Sequence, residues 1–154
     1  MSREEIKNIE GTPFETDEEM IIYDDLKIVG KDVQLAYYFN KNDQAYKAVY
    51  MSVEEHTNLT DYVIDYNDFV SALTEKYGSP KEDKTAWKNN LYKDTPSDWG
   101  LAVALGHLVK FTTWETENAS IRISLTAENN NIYTFIAYRS TKIDEPVVDR
   151  TEGL

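Results

Sequence analysis

The sequence predicts an α+β fold in which two tandem repeats, each a helix followed by antiparallel strands, form one sheet with helices on one face and the other face open. Two helical stretches end in the same signal, Gly11-Thr12-Pro13 and Gly78-Ser79-Pro80. Gly closes a helix at little conformational cost and Pro cannot continue it, so each triplet is a helix stop. Each repeat ends in successive strands rather than in alternating strands and helices, which indicates an antiparallel sheet.

The repeats define the expected domain boundaries. We expect one domain over residues 1–141, made of repeat one (1–53), a connection (54–65) and repeat two (66–141). A chain of 154 residues is long enough for one compact domain or for two small repeats that share a core. Residues 142–154 are charged and irregular, which predicts a loose C-terminal tail.

The first repeat is expected to contain one helix and three strands. Ser2 and Glu5 fit a capping box, which predicts a helix to about Glu10. Strands are predicted at 20–23, 33–39 and 44–53. Alternation in the second strand places apolar side chains on one face, namely Val33, Leu35, Tyr37 and Phe39.

The second repeat is expected to start with a helix that Asn67 or Asp68 caps and that ends at Tyr77. Its apolar residues recur at spacings of three and four, which is typical of a helix with one buried face. A strand over 85–92 and a short helix over 96–105 follow. Three strands complete the repeat at 107–114, 119–126 and 132–139, the last two joined by a hairpin turn at 128–131.

Charge and composition exclude several classes of function. The 28 acidic residues against 16 Lys and Arg give a net charge of −12 and a pI near 4.5. Nucleic acids and anionic lipids bind proteins mainly through Lys and Arg, so we expect no nucleic-acid partner. No apolar run approaches the roughly 20 residues of a membrane span, so we expect no direct membrane insertion of this portion. The chain has no cysteine, which excludes disulfides and thiol chemistry.

No catalytic or cofactor motif emerges from the sequence. His56 and His107 are the two histidines, and neither has a further metal-ligating residue at a recognisable spacing. The chain lacks the Gly-x-Ser-x-Gly elbow of hydrolases and the glycine-rich loops that hold phosphates. We therefore predict no catalytic residues, no metal, no cofactor and no enzymatic activity.

The outward-facing side of the strands is the most informative candidate site. We expect Val109, Phe111, Ile121, Ile123, Leu125, Ile132 and Ile136 to point into the helix-covered core. Aromatic and cationic residues would then lie together on the opposite face, and Tyr, Trp and Arg often anchor protein interfaces. The alternative is that these aromatics only pack across strands. The candidate binding residues are Tyr38, Tyr46, Tyr50, Lys110, Trp114, Arg122, Tyr133 and Arg139.

The order of these motifs resembles that of known families. The residues concerned are Ser2 to Ile6 with Gly11-Thr12-Pro13 and Tyr23, and Asp68-Phe69 with Lys76 to Pro80 and Trp87. They resemble the tandem-repeat β-lactamase inhibitory protein family and the single-repeat BamE outer-membrane lipoproteins. Trp114-Glu115-Thr116, Ile123-Ser124-Leu125 and Tyr138-Arg139-Ser140 are also similar to small Gram-positive lipoproteins. The resemblance implies an aromatic-rich sheet that grips a protein target, but it does not carry over inhibition of a β-lactamase.

These observations give three functional hypotheses. The first is a non-enzymatic protein- or peptide-binding or scaffold module of the bacterial cell envelope, which uses the open sheet face. The second is a small-ligand carrier or enzyme with a pocket between the repeats, near Trp87, Trp99 and His107. The third is a cytoplasmic regulatory protein, which stays open because this sequence contains no signal peptide. We expect an extracytoplasmic location, as the mature portion of a secreted or lipid-anchored precursor.

Overall fold

Local sequence signals determine the ends of the helices in the computed structural model, which describes residues 1–146. Helix α1 spans Arg3–Glu10 and starts with the predicted capping box, in which the backbone N–H of Glu5 donates to Ser2 Oγ over 3.2 Å. The Glu5 carboxylate accepts the backbone N–H of Ser2 over 3.3 Å. Gly11 ends the helix with a φ of 92°, a conformation that favours glycine.

Helix α2 spans Thr60–Tyr77 and starts several residues before the predicted cap. Asn67 and Asp68 are exposed in the middle of the helix and cap nothing. The helix buries residues at spacings of three and four, which fixes its inward face. These buried hydrophobic residues are Val63, Tyr66, Phe69 and Leu73. Residues 60–65 of the predicted connection therefore belong to α2.

Helix α3 spans Trp99–Ala104 and follows a 3-10 turn over Pro96–Asp98. The prediction of a short helix over 96–105 is confirmed in position. Gly106 follows with a φ of 78°, as expected for a residue that ends a helix. α3 packs against the start of α2 so closely that Gly100 has no room for a side chain beside the backbone of Leu59.

Residues 1–146 contain eight strands, and all of them pair antiparallel in one sheet. Their order across the sheet is β1-β2-β3-β4-β8-β7-β6-β5. The hairpin between β7 and β8 turns at Asn129 and Asn130, which have φ of 52° and 67°. The predicted turn is therefore confirmed, and its two positive φ angles are those of a tight hairpin turn. The strands are β1 (Glu15–Thr16), β2 (Met20–Ile28), β3 (Lys31–Phe39), β4 (Ala45–Ser52), β5 (Glu82–Trp87), β6 (Leu108–Glu115), β7 (Ala119–Glu128) and β8 (Asn131–Ser140).

The prediction of two tandem helix-then-strands repeats is wrong, although the α+β content is confirmed. The strands of residues 1–146 form a single continuous sheet, which β4 and β8 join across its middle. Val33 on β3 belongs to the larger core together with α2 and α3, so this core crosses the expected repeat boundary. The two Gly-x-Pro signals end helices locally, but they do not determine which strands pair or which helix covers them.

Two clusters of buried side chains lie between the sheet and the helices of the described chain. The smaller cluster places Ile6 of α1 against Ile21, Tyr23, Leu35 and Phe39 on β2 and β3. The larger one packs α2 and α3 against β3, β6, β7 and β8. Both clusters lie on the same face of the sheet. We call this side the helix face and the opposite side the outer face.

The described part of the predicted tail is attached to the sheet. The backbone N–H of Thr141 donates to the carbonyl of Asn118 over 3.0 Å. The carbonyl of Asp144 accepts from Asn40 Nδ2, also over 3.0 Å. The rest of that prediction, residues 147–154, lies outside the described residues. Among residues 1–146, none of the helices combines the length and the apolar character needed to cross a membrane.

Candidate functional site

Strand register assigns each side chain to one face of the sheet. Leu35, Tyr50, Ile136 and Ile123 are direct partners across β3, β4, β8 and β7, and they point toward the helices. The neighbouring row consists of Ala36, Val49, Ala137 and Arg122. Because successive residues of a strand point to opposite faces, this second row lies on the outer face.

The structure divides the eight predicted binding residues between the two faces. Four lie on the outer face as expected, namely Tyr38, Arg122, Tyr133 and Arg139. The expected outward placement is wrong for Tyr50, Lys110 and Trp114, which lie on the helix face. Tyr46 is the extra residue of a bulge in the β3–β4 pairing, between Ala45, which pairs with Phe39, and Lys47, which pairs with Tyr38.

Trp114 is a core residue. Its side chain is 1% exposed, and its indole Nε1 donates to the carbonyl of Gly78 at the end of α2 over 3.0 Å. Sequence alternation on β6 suggested the reverse orientation because Thr112, a polar residue, occupies an inward position. The Thr112 hydroxyl is buried and contacts the hydroxyl of Tyr66 at 2.7 Å and the carboxylate of Asp83 at 3.2 Å. These hydrogen bonds satisfy the buried hydroxyl.

Lys110 and Tyr50 are also held on the helix face by aromatic contacts. The Lys110 ammonium lies 5.8 Å from the centre of the Tyr66 ring and 5.7 Å from the Trp99 ring. Burial lowers the pKa of Lys110. Tyr50 packs edge-on against Tyr138, with 5.9 Å between ring centres. Lys110 therefore joins α2 and α3 to the sheet, Tyr50 packs against the neighbouring strand, and neither side chain is part of the outer face.

The outer face contains Phe135, which the sequence interpretation did not select, and Phe111, for which the expected position in the core is wrong. Phe135 stacks on Tyr133, with 5.8 Å between ring centres and 20° between ring planes. The guanidinium carbon of Arg122 lies 4.1 Å from the centre of the Phe111 ring, in the range of a cation–π contact. The alternation that places Ile136 in the core also places Phe135 outward, so the signal for Phe135 was present in the sequence.

Positive charge lies next to these aromatics. Lys47 and Arg139 are paired residues on β4 and β8, and Arg122 pairs with Ala137, two positions before Arg139. We call Lys47, Arg139 and Arg122 the cationic row. The Lys47 ammonium also lies 4.5 Å from the centre of the Tyr38 ring. Burial and the charge of Arg139 lower the pKa of Lys47.

A shallow depression of about 380 Å³ runs along this part of the outer face. Its lining includes Arg122, Ala137 and Arg139, with Thr113 and Ser120 beside them. Lys81, Glu82 and Glu115 line its β5 end, where each carboxylate is paired with a lysine. Ala137 is a small residue that pairs with Arg122 and lies two positions before Arg139, and its short side chain leaves room above it. The arrangement can accept an extended segment that offers both apolar and anionic groups.

The alternative pocket near Trp87, Trp99 and His107 is a packed aromatic cluster. Trp87 contacts Trp99 edge-on at 5.7 Å, and Tyr92 stacks on His107 at 5.9 Å, between ring centres. Five cavities elsewhere in residues 1–146 are lined by other side chains. This cluster packs against the larger core. A ligand site at this place stays a prediction.

Four ionisable groups on the helix face contact one another. His56 Nε2 lies 2.5 Å from the buried carboxylate of Asp65, which also accepts from the Lys31 ammonium over 3.0 Å. Lys31 contacts Asp68 at 3.1 Å as well. In the described part of the chain, no three His, Asp or Glu side chains gather as metal ligands would. This group connects α2 to β3 and to the loop that precedes α2.

Comparisons with known proteins add no assignment to this geometry. No family model matches the chain, and no significantly similar protein was found among curated sequences or solved structures. The resemblance to the β-lactamase inhibitory protein family, to BamE and to small lipoproteins therefore stays a prediction.

Proposed function

We propose that this chain is a non-enzymatic binding module that holds a protein or peptide partner on the outer face of its sheet. The observation that carries the proposal is the group formed by Phe111, Tyr133 and Phe135, together with Arg122. Each of these three rings is partly exposed on a face that none of the helices within residues 1–146 covers. Aromatic residues and Arg are enriched among the residues that dominate binding energy in interfaces.

The shape and chemistry of the outer face favour an extended macromolecular partner. Partly exposed aliphatic side chains, Val49 and Met51 on β4, lie next to Ala137 and Phe135 on β8. The resemblance to the β-lactamase inhibitory protein family implies a similar use of an aromatic-rich sheet. The resemblance to small lipoproteins implies a location in the bacterial cell envelope, which is part of this proposal.

A peptide-display selection against the folded protein tests the function. Selected peptides are titrated into isotope-labelled protein, and the backbone amide signals that shift are located on the sheet. We expect the shifts to concentrate on β4, β8, β7 and β6. Phe135→Ala should weaken binding by about 30-fold, because a central aromatic contact is worth about 2 kcal/mol.

A matched control uses Leu91→Ala, which removes a 68% exposed side chain in a loop outside the sheet. Leu91→Ala should leave the affinity unchanged. Far-UV circular dichroism checks that both variants stay folded. Shifts that concentrate on the helices, or a Phe135→Ala variant that binds as tightly as the parent protein, would refute the proposed function.

A further inference from the structure

The cationic row contrasts with the charge of the whole chain. The chain has a net charge of −12, yet Lys47, Arg139 and Arg122 are neighbours on the outer face of the central strands β4, β8 and β7. Carboxylates near the β5 edge have lysine partners: Lys81 contacts Glu115 at 2.8 Å and Lys84 contacts Glu82 at 3.5 Å. Pairing at the edge leaves the positive charge of this face concentrated in its middle.

Arg122 has its charge available for a ligand. Among residues 1–146, its guanidinium forms no ion pair; it lies over the Phe111 ring, and its Nε donates to Ser124 Oγ over 3.4 Å. The contact with Phe111 holds the guanidinium on the outer face. The guanidinium can still form an ion pair with a carboxylate. Arg binds carboxylates through two parallel hydrogen bonds, so a fixed guanidinium favours a carboxylate ligand.

Arg139 already has a carboxylate ligand from this chain. Glu145 forms an ion pair with the Arg139 guanidinium. The segment that carries Glu145 leaves β8, and the Asp144 carbonyl fixes it to the Asn40 side chain. An acidic, irregular segment thus reaches the row through a single carboxylate. This contact places a carboxylate on one member of the row, Arg139.

We propose that the cationic row recognises an acidic segment of the peptide or protein partner, whose carboxylates bind Arg122 and Arg139 and displace Glu145. This inference rests on the proposed function, because it places the partner on the same outer face. The apolar side chains of the segment pack on Phe135 and Met51, and the room above Ala137 admits its backbone. A bound carboxylate also offsets the repulsion between Lys47 and Arg139.

The test uses three synthetic fluorescent peptides that share their Phe and Ser positions. Four remaining positions carry Glu in the first peptide, Gln in the second and Lys in the third. Binding is measured by anisotropy at low and at moderate salt. We expect the Glu peptide to bind at least about 10-fold more tightly than the Gln peptide, and we expect salt to reduce this difference. The Lys peptide should bind most weakly.

Variants of the row locate the recognition. Arg122→Gln and Arg139→Gln should each lower the affinity for the Glu peptide by about 10-fold and leave the affinity for the Gln peptide unchanged. Lys84→Gln is the matched control, because it removes the same charge at the sheet edge. Glu145→Gln should raise the affinity for the Glu peptide a few-fold. Glu117→Gln, which removes an 86% exposed carboxylate, should leave this affinity unchanged. Thermal unfolding checks that each variant is folded.

The outcomes separate this inference from the proposed function. Equal binding of the Glu and Gln peptides on the outer face would overturn the inference and leave the proposed function in place. Failure of all three peptides and of the display selection would overturn both. Binding of a single-stranded oligonucleotide of the same net charge as tightly as the Glu peptide would show a general anion site and would overturn the assignment to an acidic peptide.

Discussion

Replacement of Trp114 tests the assignment of faces directly. Trp114→Ala removes the largest fully buried side chain of the described core and leaves a cavity between β6 and the end of α2. If Trp114 lay on the outer face, the same change would affect binding and hardly affect stability. The structure predicts the opposite result, in which the main effect is a loss of stability and not a loss of binding.

The magnitude follows from burial and from one hydrogen bond. Replacement of a buried Trp by Ala costs about 3–5 kcal/mol, because apolar contacts are lost and the cavity does not close fully. Trp114→Phe keeps much of the packing but leaves the Gly78 carbonyl without its indole donor, which costs about 1–3 kcal/mol. Domains are typically stable by about 5–15 kcal/mol, so the Ala variant should lose a large share of its stability.

Urea unfolding at 25 °C, followed by far-UV circular dichroism, measures both losses independently of tryptophan fluorescence. Leu91→Ala is the control, and its free energy of unfolding should change by less than about 0.5 kcal/mol because the side chain is 68% exposed. If Trp114→Ala lowers the free energy of unfolding by less than about 1 kcal/mol, with an unchanged slope against urea concentration, our face assignment for β6 is incorrect.

Three further predictions concern backbone space, pH and a turn. Gly100→Ala should destabilise by about 3 kcal/mol in urea unfolding, because its Cβ would lie 2.1 Å from the Leu59 carbonyl carbon. Gly78→Ala has open space but a φ of 86° and a ψ of −163°, and it should cost about 1–3 kcal/mol through backbone strain alone. A Gly100→Ala variant as stable as the parent protein would contradict this. Burial raises the pKa of Tyr66 to about 12 from 10.0, so its contribution to stability is complete below pH 10 and is lost as the pH rises to about 12. Tyr66→Phe should therefore reduce the fall in unfolding free energy between pH 10 and 12 by up to about 2.7 kcal/mol, and identical pH profiles would disprove it. Asn130→Gly should raise the unfolding free energy by about 0.5 kcal/mol, because glycine adopts a φ of 67° without strain, and a lowered melting temperature would count against this.

Local chemistry made the helix ends and the last hairpin predictable from the sequence. The Ser2 capping box and the Asn129–Asn130 turn act over a few residues, so their side chains suffice to identify them. The start of α2 was missed although a local signal is present. The side-chain oxygen Oδ1 of Asn58 accepts the backbone N–H of Thr60 over 3.1 Å, as an N-cap residue does, whereas the sequence interpretation placed the cap at Asn67 or Asp68.

Strand pairing and face assignment depend on contacts that are distant in the sequence. Alternation assigned β3 correctly, because its inward residues are apolar. It failed on β6, where Thr112 is buried through hydrogen bonds to Tyr66 and Asp83 that alternation cannot indicate. Half of the predicted binding residues reached the outer face. Phe135 was recoverable from its position beside Ile136, but the pairing of Lys47 with Arg139 was not.

The place of β8 in the sheet has a consequence for synthesis on the ribosome. β8 is the last strand of the described chain, yet it lies between β4 and β7 in the middle of the sheet. Until β8 emerges, two strand edges remain without partners, and such edges promote aggregation of nascent chains. Closure then requires contacts between residues as distant as Lys47 and Arg139, which slows folding. Chaperone demand should therefore peak just before β8 emerges from the ribosome.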